Sequence, residues 1–294
     1  MRFPLPASSN WHILSVDVED YFQVEAFAKY VSPNSWEHWP PRVVANTRRV
    51  LGLFDRYHVT GTFFFVGWIA DRFPALVREV LDHGHEIACH SYWHQCIYKL
   101  TPEEFKADTQ HAVDVIENAG HVHVSGYRAP SWSITAQSQW ALSILQQCGF
   151  TYDSSVFPIH HDIYGLPGAQ RFPYEHVLAN GSRLPEFPPT TIKIGKMILP
   201  AAGGGYLRLM PIAYTDMAFR VTEAQGQKVV VYFHPWELDP EQPRIQAGPR
   251  SRFRHYTNLA RMESRLVHLL EHYQFKPLSA LNQQFRALQV AKAA

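Results

Sequence analysis

A chain of 294 residues that is 46% hydrophobic has enough apolar material for one large α/β domain with a sizeable core. Its 27 basic side chains nearly cancel its 26 acidic ones and form no basic run, which argues against nucleic acid as the main partner. No apolar stretch approaches a membrane span, and Met1 to Asn10 lacks the apolar core of a signal peptide.

Three cysteines, Cys89, Cys96 and Cys148, have no framework spacing and read as reduced thiols. Together these features lead us to expect a soluble cytoplasmic protein. Trp11 to Val16 reads as a first strand that releases Asp17, Glu19 and Asp20 at its end. Asp17 and Glu19 share a side if the strand continues, because side chains alternate. Tyr21 to Pro41 is rich in aromatics and prolines without a period and reads as a long functional loop. Arg42 to Tyr57 is expected to be a helix, and Thr60 to Val66 a buried strand by its continuous apolar character. A helix from Pro74 stops at Gly84, and the short strand Glu86 to Ala88 follows.

That strand delivers His90 and His94. Their spacing places both imidazoles on one side of a helical turn, where they can hold one metal ion. Cys89 and Cys96 flank them as weaker rivals. Thr101 and Glu104 form a capping box that opens a helix closed by Gly120. Val122 to Gly126 leads as a strand to Arg128, Ser131 and Trp132. A helix over Gln137 to Cys148 then leads to Asp153. Beyond this the alternation loosens, with short strands at Arg183 to Phe187 and Thr191 to Ile194. Gly203 to Gly205 reads as a tight turn or close backbone approach, since no phosphate-loop Lys-Ser/Thr follows. Pro211 to Gln225 is a helix, and the β-branched run Lys228 to Phe233 is a strand ending at His234. After a polar stretch, Asp239 to Arg254, the sequence suggests a C-terminal helical extension from about residue 256. It comprises a helix at Tyr256 to Tyr273, a short strand from Phe275, and a frayed helix or tail from Asn282. His121, His123, His160 and His161 read as surface or loop residues. The polar clusters follow strands, where α/β barrels collect their active sites, and residues 1–294 read as one domain.

The run Gly84-His85-Glu86-Ile87-Ala88-Cys89-His90-Ser91-Tyr92-Trp93-His94, the Arg128-Ala129-Pro130-Ser131 step, the acidic cluster and His234-Pro235 resemble the polysaccharide deacetylases of the NodB-homology family, carbohydrate esterase family 4. The Val16-Asp17-Val18-Glu19-Asp20-Tyr21-Phe22 opening and Arg261-Met262-Glu263 are similar to a bacterial branch associated with exopolysaccharide loci. The resemblance implies a distorted (β/α) barrel of seven strands that hydrolyses N-acetyl groups of aminosugar polymers with a divalent metal. It implies His90 and His94 as ligands, with Glu19 or, in a shifted register, Asp20 as the acidic one. Asp17 matches the general base, Arg128 the arginine that holds it, His234 the general acid, and Asp153 the acid that tunes that histidine. Trp132 and the Val229 to Phe233 strand would line the acetyl pocket, with Ser131 and Tyr92 as further substrate contacts. Two histidines and a carboxylate suit zinc, while cobalt, nickel and manganese also fit. The implied partners are an N-acetylated polysaccharide and exopolysaccharide assembly machinery. Two other functions remain open: a cyclic-amide hydrolase related to allantoinases, and a non-catalytic carbohydrate-binding scaffold.

Overall fold

The computed structural model describes residues 11–201 and 203–293, so the expectation for Met1 to Asn10 lies outside the described residues. In chain order the elements are β1 (Trp11–Val18), α1 (Val43–Tyr57), β2 (Thr62–Phe65), α2 (Gly67–Arg72), α3 (Pro74–Asp82), β3 (Glu86–Cys89) and α4 (Pro102–Gly120). There follow β4 (Gly126–Tyr127), α5 (Ala141–Gln147), β5 (Tyr152–Asp153), β6 (Tyr174–Val177), β7 (Arg183–Glu186), β8 (Thr191–Ile194) and β9 (Met197–Pro200). The rest comprises α6 (Gly204–Leu209), α7 (Ile212–Glu223), β10 (Val230–Phe233), α8 (Pro249–Tyr256), α9 (Met262–His272), β11 (Gln274–Lys276) and α10 (Leu278–Ala293).

β1 and β2 are buried along their whole length, which is why they read as unbroken apolar runs. They sit in the middle of a sheet ordered β10-β1-β2-β3-β4-β5-β7, in which every neighbouring pair is parallel. β6 adds an antiparallel edge to β7, and β11 pairs with the start of β1. The parallel strands between β10 and β7 match the expected α/β barrel.

The barrel closes irregularly. Beyond β7, Phe187 N–H donates to the Asp153 carbonyl at 2.9 Å, and Thr190 N–H donates to the Val230 carbonyl at 3.2 Å. Between them stand Pro188 and Pro189, which have no N–H and cannot extend a ladder, so single hydrogen bonds replace a strand pair at the seam.

The helices have local causes. The Thr101 side chain accepts from Glu104 N–H at 3.2 Å, and the Glu104 carboxylate accepts from Thr101 N–H at 2.8 Å, which is the expected capping box. Gly84 stops α3 in a left-handed conformation (φ 79°), as its place in the sequence suggested. Gly203 (φ 152°) lets the chain cross the Tyr232 ring, which a Cβ there would meet at 2.1 Å. The expected close backbone approach is therefore present.

One expectation at the C-terminal end needs correction, because the polar stretch contains α8. Of the two readings from Asn282, helix or tail, the segment is helix, the last part of α10. Leu278, Leu281 and Phe285 of α10 form one buried cluster with Trp11, Ile13, Phe64, Ala88, Tyr152, Phe187 and Val230. The helix thus covers the end of the barrel opposite the polar clusters. Leu278 N–H donates to Thr62 Oγ1 at 2.7 Å, and Ser279 N–H to Glu86 at 2.9 Å, which anchors its first turn. Replacing the fully buried Phe285 with Ala should lower stability by about 3–5 kcal/mol, read by urea denaturation. A loss under about 1 kcal/mol would mean that α10 is not part of the cooperative core.

Candidate active site

β1 ends at Val18, and the chain turns at once, with Glu19 N–H donating to the Asp17 carbonyl at 3.0 Å. Both carboxylates line a cavity of about 510 Å³ that lies beyond the C-terminal ends of the strands. His90 enters from the end of β3. Ser91 (φ 64°) and His94 (φ 50°) then adopt left-handed conformations, so the segment is an irregular turn and not the helical turn that the spacing suggested. Such backbone costs about 1–3 kcal/mol per residue and persists where its surroundings hold it. Here Asp108 of α4 accepts from Tyr92 and Trp93 N–H, each at 3.0 Å, and Ser91 Oγ accepts from His94 N–H at 3.0 Å.

His90 Nδ1 donates to the Arg128 carbonyl at 2.7 Å, and His94 Nδ1 donates to the Gln23 carbonyl at 2.9 Å. A carbonyl only accepts, so each ring carries a proton on Nδ1 and, when neutral, presents a bare Nε2. Ligand atoms of His90, His94 and Glu19 all lie within 4.8 Å of one another, and all three residues are buried. Glu19 Oε2 is 2.8 Å from His94 Nε2 and has no other partner in its buried position. Glu19 Oε1 accepts from Trp236 Nε1 at 3.0 Å. Burial would raise the Glu19 carboxyl, but the His94, His234 and His90 rings outweigh it and hold the group well below the usual range. Burial pushes His90 down to about 4. Converging lone pairs, a buried carboxylate oxygen with no other partner and carbonyl-anchored imidazoles fit a divalent cation.

Asp20, the ligand in the shifted register, is not in this group. Its carboxylate accepts from Tyr21 N–H at 2.9 Å, and from Arg42 and Val43 N–H at 2.7 and 3.0 Å, so it caps the start of α1. Cys89 and Cys96 are buried free thiols outside the donor group.

Arg128 is wholly buried and occupies the centre of the site. Its Nη1 donates to Asp17 Oδ1 at 2.6 Å and to Ser15 Oγ at 2.8 Å. Nη2 donates to Ser154 Oγ at 2.9 Å, and Nε to the Ser154 carbonyl at 3.2 Å. The Phe64 and Trp132 rings pack on the guanidinium, at 4.0 and 4.8 Å from its carbon. Opposite, at the end of β10, His234 Nε2 lies 3.9 Å from Asp17 Oδ2 and 3.4 Å from Glu19 Oε1. Burial works against its charged form, but Glu19, Glu237 and Asp17 overcome that and raise its pKa to about 9.

The acid beside His234 is Glu237, not Asp153. Glu237 Oε2 is 3.3 Å from His234 Nδ1 and accepts from His234 N–H at 3.0 Å. Its Oε1 accepts from Arg208 Nε at 2.7 Å. The same buried Arg208 donates to the carbonyls of His255, Thr257 and Arg254 and so ties the end of α8 to the site. Asp153 instead faces Glu186 across the β5–β7 pair and accepts a short hydrogen bond from Ser155. Sequence reasoning passed over Glu237, whose signal was its place three residues after a strand-end histidine. Arg208 and Asp108 gave no signal.

Ser131 and Trp132 line the cavity, and both are in left-handed conformations (φ 51° and 54°). Tyr92 is a correction: its hydroxyl donates to Asp71 at 3.0 Å and its ring packs on His111 outside the cavity. The Tyr21 to Pro41 loop reaches the site through Val24, Glu25 and Ala26, which line the cavity, while its aromatics Tyr21, Phe22 and Trp36 are buried in packing with one another and Trp68. The aromatic wall of the cavity is Trp132, Tyr164, Tyr206, Tyr232, Trp236 and Phe253. His161, expected at the surface, also lines it and stacks on Tyr164.

Residues 36–152 match the polysaccharide deacetylase family, and residues 154–283 match a domain of unknown function, DUF3473. The polysaccharide deacetylase match covers the part of the chain that carries His90, His94 and Arg128. A peptidoglycan deacetylase of Helicobacter pylori is 30% identical over 114 residues, which cover 39% of this chain and 37% of that protein. The curated relatives matched are spanned over only 15% to 49% of their own lengths. A Mycobacterium smegmatis structure assigned as a polysaccharide deacetylase superposes with a TM-score of 0.63 at 19% identity, covering 97% of this chain and 94% of that one. Puue allantoinase superposes with a TM-score of 0.61 at 15% identity, covering 97% of each chain. Both likenesses are of fold. The sheet draws β1 to β4 from one side of the boundary between the two matched regions and β7 and β10 from the other.

Two outcomes test these assignments. Glu19→Gln should abolish stoichiometric metal binding, measured by elemental analysis. Asp20→Ala should retain the metal and lose about 0.5–2 kcal/mol of stability, the usual worth of a helix cap. Metal lost from Asp20→Ala alone would reverse the register.

The Asp153–Glu186 pair makes a separate prediction about pH. Burial, reinforced at Asp153 by the Glu186 charge, raises both carboxyls, Glu186 to about 7. The folded pair keeps a proton that unfolded carboxylates release, so stability should fall as pH rises from about 4.5 to about 7. Glu186→Gln should flatten that slope in denaturation curves taken across the range, and an unchanged slope would assign it to other groups.

Proposed function

We propose that the protein is a metal-dependent hydrolase that removes N-acetyl groups from aminosugar residues of a polysaccharide, within exopolysaccharide biosynthesis. One observation carries the reading. Two bare imidazole nitrogens and the Glu19 carboxylate converge on one point, with an arginine-held aspartate and a carboxylate-backed histidine facing each other beside it. We take zinc as the first metal to test, with cobalt, nickel and manganese as alternatives. A cytoplasmic location belongs to the same proposal and rests on three cysteines that remain free thiols.

His90, His94 and Glu19 would hold the metal, which when bound polarises the acyl oxygen and acidifies water. In this scheme Asp17 is the general base. Its Oδ1 is fixed by Arg128, which leaves Oδ2 on the His234 side to take the proton of the attacking water. His234 is the general acid. It gives its Nε2 proton to the departing amine, so the products are acetate and the free amino sugar. Glu237 lies 3.3 Å from Nδ1 as its countercharge and favours the charged ring, while Arg208 fixes Glu237. Ser131 and Trp132 are placed to shape the acetyl end of the cavity, as Tyr232 of β10 is.

The fold is shared with an allantoinase, so fold alone does not select the amide that is cleaved. The complete donor set favours a metal-dependent reaction over a metal-free ring opening, and over a binding scaffold that has no need of a base and an acid. Acetate release from N-acetylglucosamine oligomers, assayed beside ring opening of small cyclic amides on the metal-loaded protein, tests the choice. His234→Ala should slow N-acetyl hydrolysis by about 10²–10⁴-fold with the metal content unchanged. It should slow acetyl esters less, because an alkoxide leaves more readily than an unprotonated amine. The carboxylates around His234 favour its charged ring, so the wild-type rate should fall as pH rises through the titration of that ring, and the fall should vanish in the variant. Equal losses on both substrates with the fall intact would remove His234 from the acid's role.

A further inference from the structure

The outer half of the cavity has a chemistry that acetyl transfer to water does not require. α8 presents Arg250, Phe253 and Arg254 to it, at positions i, i+3 and i+4 that share one helix face. Phe253 is 60% exposed, a large apolar ring left in solvent at the mouth. On either side of it the two guanidiniums converge on a single carboxylate, Asp162. Arg250 Nη2 donates to Asp162 Oδ2 at 2.6 Å, and Arg254 Nη2 reaches Oδ1 at 3.0 Å and Oδ2 at 3.3 Å. One acid against two bases leaves a surplus positive charge at the mouth.

The remaining charges nearby do not cancel it. Glu25 on the facing wall is engaged by Lys99, and Arg208 is matched by Glu237. Asp162 already shows that this pair of guanidiniums accepts a carboxylate. Its side chain is 42% exposed and that of Arg250 is 73% exposed. Ion pairs in such positions contribute about 0–1 kcal/mol, so an incoming anion can displace Asp162 at little cost. Arginine forks recognise carboxylates with two parallel donors, and an exposed aromatic beside them offers a face for a sugar ring.

We propose that the mouth of the cavity binds the carboxylate of an acidic sugar, so that the preferred substrate is a polymer in which N-acetylated aminosugars neighbour uronic acids. This rests on the deacetylase reading for its chemistry. The binding preference itself can be measured without it.

The test uses the metal-loaded full chain and two oligosaccharides of equal length, one of N-acetylglucosamine alone and one alternating N-acetylglucosamine with glucuronate. kcat/KM for acetate release and Kd by calorimetry are measured at low and high salt. The acidic oligomer should be favoured about tenfold or more at low salt, the size expected of one charge-assisted pair, and the preference should shrink with added salt. The acidic-to-neutral ratio should fall about tenfold in Arg250→Gln/Arg254→Gln and rise in Asp162→Asn, which frees both arginines. Equal affinity for the two oligomers, binding of neither, or a ratio indifferent to the arginine substitutions overturns the inference. If neither oligomer loses acetate while the acidic one still binds more tightly through Arg250 and Arg254, the deacetylase reading falls and this one stands.

Discussion

The site depends on a charge that has no access to water. A guanidinium buried like that of Arg128 costs several kcal/mol unless it is paired and its N–H groups are satisfied. Asp17 supplies the countercharge, and Ser15 and Ser154 take the remaining bonds. These partners come from β1 and from the end of β5, while Arg128 itself follows β4. Its backbone carbonyl also orients His90 after β3. One residue therefore ties four strand ends together and sets both the carboxylate expected to accept a proton and the imidazole expected to bind a metal. The register of the parallel strands and the geometry of the chemistry are the same constraint.

The opposite wall is built on a second buried arginine. Arg208 fixes Glu237 and gathers three carbonyls at the end of α8, so the segment carrying the cavity mouth is anchored to the residue that backs His234. His234, Trp236 and His255 stack in sequence along this wall, with ring centroids 5.2 and 4.1 Å apart. The first half of the chain thus holds the metal-ligand candidates and Asp17. The second half holds His234, its support and most of the cavity lining.

What could be read from the sequence was what is local in the chain. Continuous apolar runs announced β1, β2 and β10, a capping box announced α4, and the histidine pair announced a candidate metal site. What could not be read was which side chain meets which across the barrel. Asp20 and Glu19 are adjacent and chemically equivalent in sequence, but only folding shows that α1 starts where its free N–H groups claim Asp20. Asp153 follows a strand as an active-site acid should, but its neighbour across the sheet is Glu186 and not His234. α8 was hidden because its residues, Pro249 to Tyr256, carry no apolar stripe, and its C-terminal end is held by Arg208 from outside the helix. The loop after β1 carries both roles at once: its aromatics pack on one another as core, while Val24, Glu25 and Ala26 line the cavity.

The place of β1 has a consequence for how the protein is made. It is the first described strand to leave the ribosome, but its partners on the two sides include β10 and β11, which lie more than two hundred residues downstream. Its entirely buried sequence must therefore wait, half-paired with β2, until β10 and β11 have been made. Sequence-distant pairing of this kind folds slowly and leaves apolar strand surface open to other chains in the interval. The barrel is covered only when α10 settles over its end, so a chain cut short after β11 would carry every residue of the candidate active site but lack the helix that covers the barrel's far end.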